Sequence, residues 1–292
     1  KQVLKDLFRI KADNGEKISL PQDRETPVSI VVGGKMTYRY AFARSNDCQL
    51  AGDNGQDYLS LYHENNVITF ALCDGVSQSF FGEIAAKYLG DTLIKWFSSY
   101  LPAGTDADLI RGTLEQTLRD AIPEASELVE AYQLETDLPE MLRAVLEDKR
   151  RIGSESTFIG GRIDLPGTDY PEGRVVFAWL GDSRLRIWNE GEEMTSTLPG
   201  EFQTMQRWSS RRGLVGSSVH VHLAGITGAQ GIKRVLLYSD GLSSLDNITT
   251  LLSNEQMQVC INREGDLPAS DDIAVLEILL APWDEQLASL KS

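Results

Sequence analysis

The sequence is short of cysteine and of positive charge, and each shortage argues against a class of protein. The 292 residues include 3 Cys, an odd number without CxxC spacing, so we expect free thiols in a reducing, cytoplasmic compartment. The 28 Lys and Arg are outnumbered by 43 Asp and Glu, which gives a net charge of −15. Such a charge disfavours a nucleic acid as partner, because nucleic-acid binding needs a basic surface.

Long hydrophobic runs are also missing. No run approaches the roughly 18 apolar residues of a membrane-spanning helix, so we expect no membrane partner. The basic stretch 1–9 lacks the apolar core of a secretory signal, and we expect no targeting sequence there. The hydrophobic share of 41% and the charged share of 24% are those of an ordinary globular chain.

The sequence predicts one folded domain, although its length alone is compatible with one or two. Residues 1–36 are polar and rich in turn residues, which predicts an N-terminal arm or peripheral segment. No repeat or low-complexity linker interrupts residues 37–283, which we expect to form the domain, and residues 284–292 are left as a C-terminal tail.

The order of predicted elements favours an α+β fold. Strands are predicted at 36–42 and 67–73, and helices at 82–100, 106–122 and 124–151 with a break near Pro139. A second block of strands follows, at 156–163, 174–180, 185–188, 219–223, 233–239 and 273–280. Strands, then helices, then strands without βαβ alternation indicate antiparallel sheets covered by helices. The least regular segment, 191–231, is expected to form a flap over a sheet edge.

Acidic residues stand where the apolar runs begin or end. Three runs lead into the acid–glycine pairs Asp74-Gly75, Gly181-Asp182 and Asp240-Gly241, and a fourth follows Asp271-Asp272. A single Asp-Gly after a strand is ordinarily a plain turn. Four such acids gathered at one edge of antiparallel sheets would repel one another unless a cation neutralised them. Oxygen ligands of this kind suit Mg²⁺ or Mn²⁺ rather than zinc.

Six short motifs occur in an order that resembles the metal-dependent protein phosphatases, the PPM or type 2C serine/threonine phosphatases, in a bacterial-like branch. The resemblance extends from about residue 37 to residue 280. The motifs are Gly55-Gln56-Asp57, Cys73-Asp74-Gly75-Val76 with Gly82-Glu83-Ile84-Ala85-Ala86, Gly153-Ser154-Glu155-Ser156-Thr157, Leu180-Gly181-Asp182-Ser183-Arg184, Leu237-Tyr238-Ser239-Asp240-Gly241-Leu242 and Ser270-Asp271-Asp272-Ile273-Ala274-Val275.

The resemblance implies a four-layer α-β-β-α sandwich of two antiparallel sheets with two metal ions, Mn²⁺ or Mg²⁺, at one end. The residues that match the family's metal ligands are Asp74, Gly75, Asp240 and Asp271, with Asp182 for a weaker third ion. Asp74 matches the carboxylate that bridges the two ions, and Gly75 contributes its carbonyl. Asp57 matches the acid that orients the attacking water. The implied catalytic residues are therefore Asp57 and Asp74.

The implied activity is hydrolysis of phosphoserine and phosphothreonine in a phosphoprotein, through a water that bridges the two ions. Two cations suit this reaction because they activate water and screen the phosphate dianion. No protein nucleophile is needed, and the sequence contains neither a P-loop lysine motif nor a Gly-x-Ser-x-Gly elbow. The expected biological role is signalling, in opposition to a Ser/Thr kinase.

Three positions depart from the family pattern. Many members have a phosphate-clamping Arg five residues before the position of Asp57, where this chain has Gly52; Arg44 is the candidate substitute for substrate binding. Val76 stands where some members have a proton-donating His. Gln56 replaces an acid found next to Asp57.

Two other functions stay open at the level of the sequence. One is a pseudophosphatase, the same fold used as a binding or sensing module. The other is a phosphatase of a small phosphorylated metabolite. The basic segment at Arg207, Arg211 and Arg212 is open to two interpretations as well: a docking site for a phosphoprotein or a solvated basic stretch.

Overall fold

Two stacked β-sheets form the centre of the computed structural model, which describes residues 8–10, 15–33 and 35–280. The described residues form fifteen strands: β1 Phe8–Ile10, β2 Glu16–Ser19, β3 Thr26–Val32, β4 Met36–Ala43, β5 Tyr58–Glu64, β6 Val67–Gly75, β7 Glu155–Asp164, β8 Arg174–Leu180, β9 Arg184–Asn189, β10 Glu192–Glu193, β11 Arg207–Ser209, β12 Gly213–Val215, β13 His220–Ala224, β14 Arg234–Tyr238 and β15 Ile273–Leu280.

The helices lie mainly in three places along the chain. The described residues form the α-helices α1 Asn46–Ala51, α2 Gly82–Ser99, α3 Ala107–Asp120, α4 Ile122–Ala131, α5 Glu140–Ile152 and α6 Asn254–Gly265, and the 3₁₀ helices Thr195–Thr197 and Asp240–Asn247. No helix of the described residues has an apolar stretch long enough to cross a membrane.

The first sheet has the strand order β1-β3-β4-β15-β14-β9-β10, and the second β12-β11-β7-β6-β5-β2, with β8 paired to β7 and β13 to β8. Every pairing is antiparallel except that of β1 with β3, which is parallel. Alternate side chains of both sheets meet in one inner core, which includes Phe42 and Leu276 from the first sheet and Phe70, Ile159 and Phe177 from the second. This core joins the sheets into a sandwich.

Helices cover the outer faces of both sheets. On the second sheet, α2 and α3 contribute Leu89, Leu93 and Leu114 to a core that also contains Phe158. On the first sheet, α6 contributes Met257 and Ile261. The α+β, four-layer α-β-β-α sandwich is therefore confirmed.

The N-terminal part of the described chain is built into the sandwich. Strand β2 pairs with β5 in the second sheet, and β3 pairs with β4 in the first. The domain boundary at residue 36 stays a prediction, but these two strands precede it. The predicted tail at residues 284–292 lies outside the described residues.

Several elements differ from the sequence prediction. The predicted helices at 82–100 and 106–122 correspond to α2 and α3, and the predicted break near Pro139 separates α4 from α5. The break is wider than predicted, because residues 132–139 are not helical, and α4 begins at Ile122 with Pro123 in its first turn. Strand β5 and helix α6 had not been predicted. The expected flap at 191–231 contains the short strands β10 to β13, of which β11 and β13 pair with the second sheet.

Candidate metal centre

Three carboxylates meet at one end of the sandwich. Asp74 is the penultimate residue of β6, Asp182 follows β8, and Asp240 follows β14. Each offers an oxygen atom, and these three atoms lie within 4.8 Å of one another. The fold thus brings together acids that are more than 50 residues apart in sequence.

The strand register explains how these acids meet. Asp74 pairs across the sheet with Thr157 of β7. Gly181, just before Asp182, has a positive φ of 121°, and a Cβ atom there would lie 2.2 Å from the Cβ of Thr157. Only glycine fits this close approach. Thr157 therefore separates Asp74 on one side from the turn that carries Asp182 on the other.

Asp271 lies beside these three carboxylates but is not one of the three whose oxygens come within 4.8 Å of one another. A Cβ atom on Gly241, the residue after Asp240, would lie 3.2 Å from the carbonyl carbon of Asp271, so the backbone segments that carry these two acids are in contact. The Oδ1 atom of Asp271 accepts a hydrogen bond from the backbone N–H of Asp272, at 2.8 Å. The last of the predicted carboxylate ligands therefore borders the cluster.

Asp272 has a structural role that the sequence motifs did not predict. Its side chain is buried, its Oδ1 accepts a hydrogen bond from the backbone N–H of Ser45 at 2.6 Å, and its Oδ2 accepts one from that of Gln56 at 2.6 Å. It thereby ties β15 to the segments that precede α1 and β5. The doubled acid at the start of β15 was the available sequence signal.

Asp57 is buried beside the cluster, with 2% of its surface exposed. Its Oδ2 atom has no hydrogen-bond partner among the described residues, and neither does Oε1 of the neighbouring Gln56. Burial and the charge of Asp74 raise the pKa of Asp57 well above its ordinary value, against an opposing hydrogen bond with Ser239. An orphaned buried carboxylate oxygen is the kind of atom that needs a cation or a bound water.

Two carboxyl groups of the cluster, those of Asp74 and Asp240, hold their protons more tightly than usual when no cation is present. Burial, followed by the charges of Asp240 and Asp271, raises the pKa of Asp74 well above its ordinary value. Burial and the charges of Asp271 and Asp182 raise the pKa of Asp240 to about 6, although its side chain reaches solvent. A divalent cation would remove this repulsion and fits the all-oxygen donor set.

Gly75 brings its backbone into the same site. A Cβ atom on Gly75 would lie 2.6 Å from the carbonyl carbon of Gly82 and 2.7 Å from the carbonyl oxygen of Gln56. The end of β6 therefore packs directly against the start of α2 and against the segment that carries Asp57. This packing holds Asp74 and Asp57 next to each other.

Arg44, the predicted substrate-binding residue, lies at the edge of the site with its charge already paired. Its Nε donates to Glu25 Oε1 at 2.8 Å, and its Nη1 donates to the carbonyl of Asp53 at 3.0 Å. Its Cγ atom lies near Gly55, where a Cβ atom would meet both Arg44 and Asp272. The described geometry thus brings the stem of Arg44 near the acids and directs its guanidinium to Glu25.

Comparison with known proteins shows the fold. No protein-family model matches the chain, and no curated protein matches it significantly in sequence. Among solved structures, the serine/threonine phosphatase Stp1 from Staphylococcus aureus is similar, with a TM-score of 0.56 and 15% identity over 86% of this chain and 97% of that one. The serine/threonine phosphatase of S. agalactiae gives 0.54 and 16% over 84% and 100%.

A eukaryotic structure is similar as well. The serine-threonine phosphatase 2C from Toxoplasma gondii has a TM-score of 0.51 and 12% identity, covering 91% of this chain and 99% of that one. The chain therefore has the fold of the type 2C serine/threonine phosphatases, as the six motifs had indicated. At these identities the likeness establishes the fold, and the activity has to be argued from the site.

Proposed function

We propose that the protein is a Mn²⁺- or Mg²⁺-dependent phosphatase that hydrolyses phosphoserine and phosphothreonine in a partner phosphoprotein and so opposes a Ser/Thr kinase. The observation that carries the proposal is the grouping of Asp74, Asp182 and Asp240 oxygens within 4.8 Å. The orphaned Oδ2 of Asp57 supports it, since a buried carboxylate oxygen without a protein partner needs a cation or a bound water. The fold shared with bacterial Ser/Thr phosphatases supports the substrate class.

The residues of the chain divide into two roles in this proposal. Asp74, Asp240, Asp271 and the carbonyl of Gly75 would hold two cations, and Asp182 would hold a third. When bound, the cations would screen the phosphate dianion and supply an activated water. Asp57 would accept a hydrogen bond from this water at Oδ2, its unpaired oxygen, and so would orient the water towards phosphorus.

Arg44 stays a predicted substrate-binding residue within this proposal. A phosphate could use its guanidinium only in competition with Glu25, which holds it at 2.8 Å. If Arg44 binds phosphate, Arg44→Ala raises the KM for a phosphomonoester. An unchanged KM would show that the residue serves only to pair Glu25.

A cytoplasmic location is part of the proposal. Cys48, Cys73 and Cys260 are all free thiols in the structure, which fits a reducing compartment. Localisation of the tagged chain in its own cells tests this directly.

Hydrolysis of para-nitrophenyl phosphate in the presence of Mn²⁺ tests the activity. The expected result is turnover that needs Mn²⁺ and falls at least about 100-fold in Asp74→Asn, because the lost charge removes a ligand of both proposed ions. Asp266→Asn, at an exposed acid after α6, is the matched control and should keep wild-type turnover.

The alternatives give different results in the same set of experiments. A pseudophosphatase would bind a phosphopeptide without hydrolysing para-nitrophenyl phosphate at any Mn²⁺ concentration. A metabolite phosphatase would be active but would prefer small phosphomonoesters when a phosphopeptide panel is compared with a metabolite panel.

A further inference from the structure

The basic segment at Arg207 and Arg212 is fixed in place by the protein core. Strand β11 pairs with the first residues of β7, with Trp208 opposite Ser156 and Ser209 opposite Glu155. Trp208 is fully buried, and its indole N–H donates to the carbonyl of Leu118 at 3.0 Å. Because its neighbour is anchored in this way, the backbone of Arg207 has a defined position at the sheet edge.

One buried carboxylate holds both arginines. Glu155, 3% exposed, accepts a hydrogen bond from Arg207 Nε at 2.5 Å and one from Arg212 Nη2 at 2.6 Å. Two guanidinium groups on one carboxylate leave a net charge of +1. The other N–H groups of both arginines have no hydrogen-bond partner among the described residues. They are therefore available to an anion.

This arginine pair belongs to the same edge of the sandwich as the acidic cluster. Asp74 pairs with Thr157, and residues directly opposite each other in antiparallel strands share a face of the sheet. Arg207 precedes Trp208, the partner of Ser156, and so continues the row Asp74–Thr157 on the next strand. Two strand spacings separate the backbones of Asp74 and Arg207, or roughly 10 Å.

A second contact leads to the same placement. A Cβ atom on Gly181 would lie 2.2 Å from Thr157 Cβ and 3.1 Å from the carbonyl oxygen of Gln206. Gly181 precedes Asp182, and Gln206 precedes Arg207. The turn that carries one cluster carboxylate therefore packs against the residue next to the arginine.

We propose that Arg207, held by Glu155 and flanked by Arg212, binds the phosphate oxygens of the substrate phosphomonoester. This rests on the proposed function and deepens it. The family's clamp position is occupied by Gly52. All three guanidinium nitrogens of Arg44 are hydrogen-bonded, to Glu25 or to the carbonyl of Asp53, whereas Glu155 holds Arg207 through Nε. Arg207 instead offers the planar donor set that suits phosphate, and 20% of its side chain remains exposed.

The arginine variants provide the test. For Mn²⁺-dependent hydrolysis of para-nitrophenyl phosphate, Arg207→Gln should raise KM and the inhibition constant of inorganic phosphate roughly 10- to 100-fold, the range for a lost charge-assisted hydrogen bond. Arg212→Gln should have a smaller effect, because 51% of that side chain is exposed. The matched control is Arg211→Gln, whose guanidinium pairs with Glu130 and whose constants should stay at wild-type values.

Calorimetric titration of the Mn²⁺-loaded proteins with inorganic phosphate separates this proposal from the proposed function. An active wild type with equal phosphate affinity in Arg207→Gln would overturn the arginine subsite and leave the phosphatase intact. An inactive wild type that binds phosphate, with binding lost in Arg207→Gln, would overturn the activity and support the subsite. A wild type that binds no phosphate would overturn the subsite. If Arg207→Gln does not fold, Arg207→Lys replaces it: weaker phosphate binding supports the subsite and unchanged binding overturns it.

Discussion

Gly82 is in backbone contact with Gly75: a Cβ atom on Gly82 would lie 2.7 Å from the carbonyl carbon of Gly75 and 2.8 Å from the N of Val76. The contact joins the first residue of α2 to the last residue of β6. Since Asp74 is the residue before Gly75, the position of the metal cluster depends on a helix start that itself carries none of its carboxylates.

Gly82→Ala tests this dependence. The added methyl group would overlap with backbone atoms, which cannot rotate away, so we expect a loss of about 1–3 kcal/mol in the free energy of unfolding and weaker Mn²⁺ binding. Urea unfolding and Mn²⁺ calorimetry measure the two effects. Gly112→Ala is the control, because it lies in α3 with open space around it and should stabilise the helix by up to about 1 kcal/mol. Equal stability of the Gly82 variant and the wild type would disprove the close contact.

Asp272→Asn tests the hydrogen bonds that tie β15 to the segments before α1 and β5. An amide can accept only one of the two backbone N–H groups, so its NH₂ group would face a donor at the other position. We expect a loss of about 1–3 kcal/mol in the free energy of unfolding, as for one buried donor left unpaired. Denaturant unfolding measures it, with Asp266→Asn as the exposed control. A loss no greater than that of the control would count against the described hydrogen bonds.

Asp240→Asn tests the electrostatic repulsion through its pH dependence. The pKa of Asp240 is about 6 in the folded protein and about 3.9 in the unfolded chain, so the folded state holds the proton more tightly. The free energy of unfolding of the metal-free wild type therefore falls as pH rises from about 4 to 6. Asparagine stays neutral, so the variant should match the wild type near pH 4 and exceed its melting temperature at pH 7.5.

Burial raises the pKa of Glu83 to about 7, so Glu83 also makes the stability depend on pH. Wild type and variant both contain Glu83, so its effect cancels when their melting temperatures are compared. Mn²⁺ should reverse the order at pH 7.5, because it stabilises the wild type and binds the variant weakly. A difference between the two melting temperatures that does not change with pH would contradict the account.

The acidic cluster could be predicted because its members stand at strand ends. The boundaries of buried strands are local in sequence, and the start of one antiparallel strand lies beside the end of its neighbour. Asp74, Asp182 and Asp240 do meet, but Asp271, expected with them, is not one of the three. Asp240 follows a strand of the first sheet and the other two lie at strand ends of the second, so the stacking of the sheets, which strand ends alone do not predict, also brings them together. The structural role of Asp272 could not be predicted in this way, because the backbone N–H groups that it binds, those of Ser45 and Gln56, are 227 and 216 residues away in sequence.

Two other features were missed for different reasons. Helix α6, which was not predicted, does have a local signal, the capping box of Ser253 and Gln256. The pairing of Arg44 with Glu25 has no such signal, because it depends on β3 joining the first sheet beside β4. Residues before 36 had been expected to lie at the periphery, and that expectation does not predict that Glu25 pairs with Arg44.

Anomalous scattering from a manganese-soaked crystal tests the central claim most directly, because it counts the ions and identifies their ligands at once. The account predicts at least two manganese peaks at the end of the sandwich, with carboxylate oxygens of Asp74 and Asp240 in their coordination shells. Manganese bound elsewhere, or no manganese at these side chains in a fully folded protein, would contradict it.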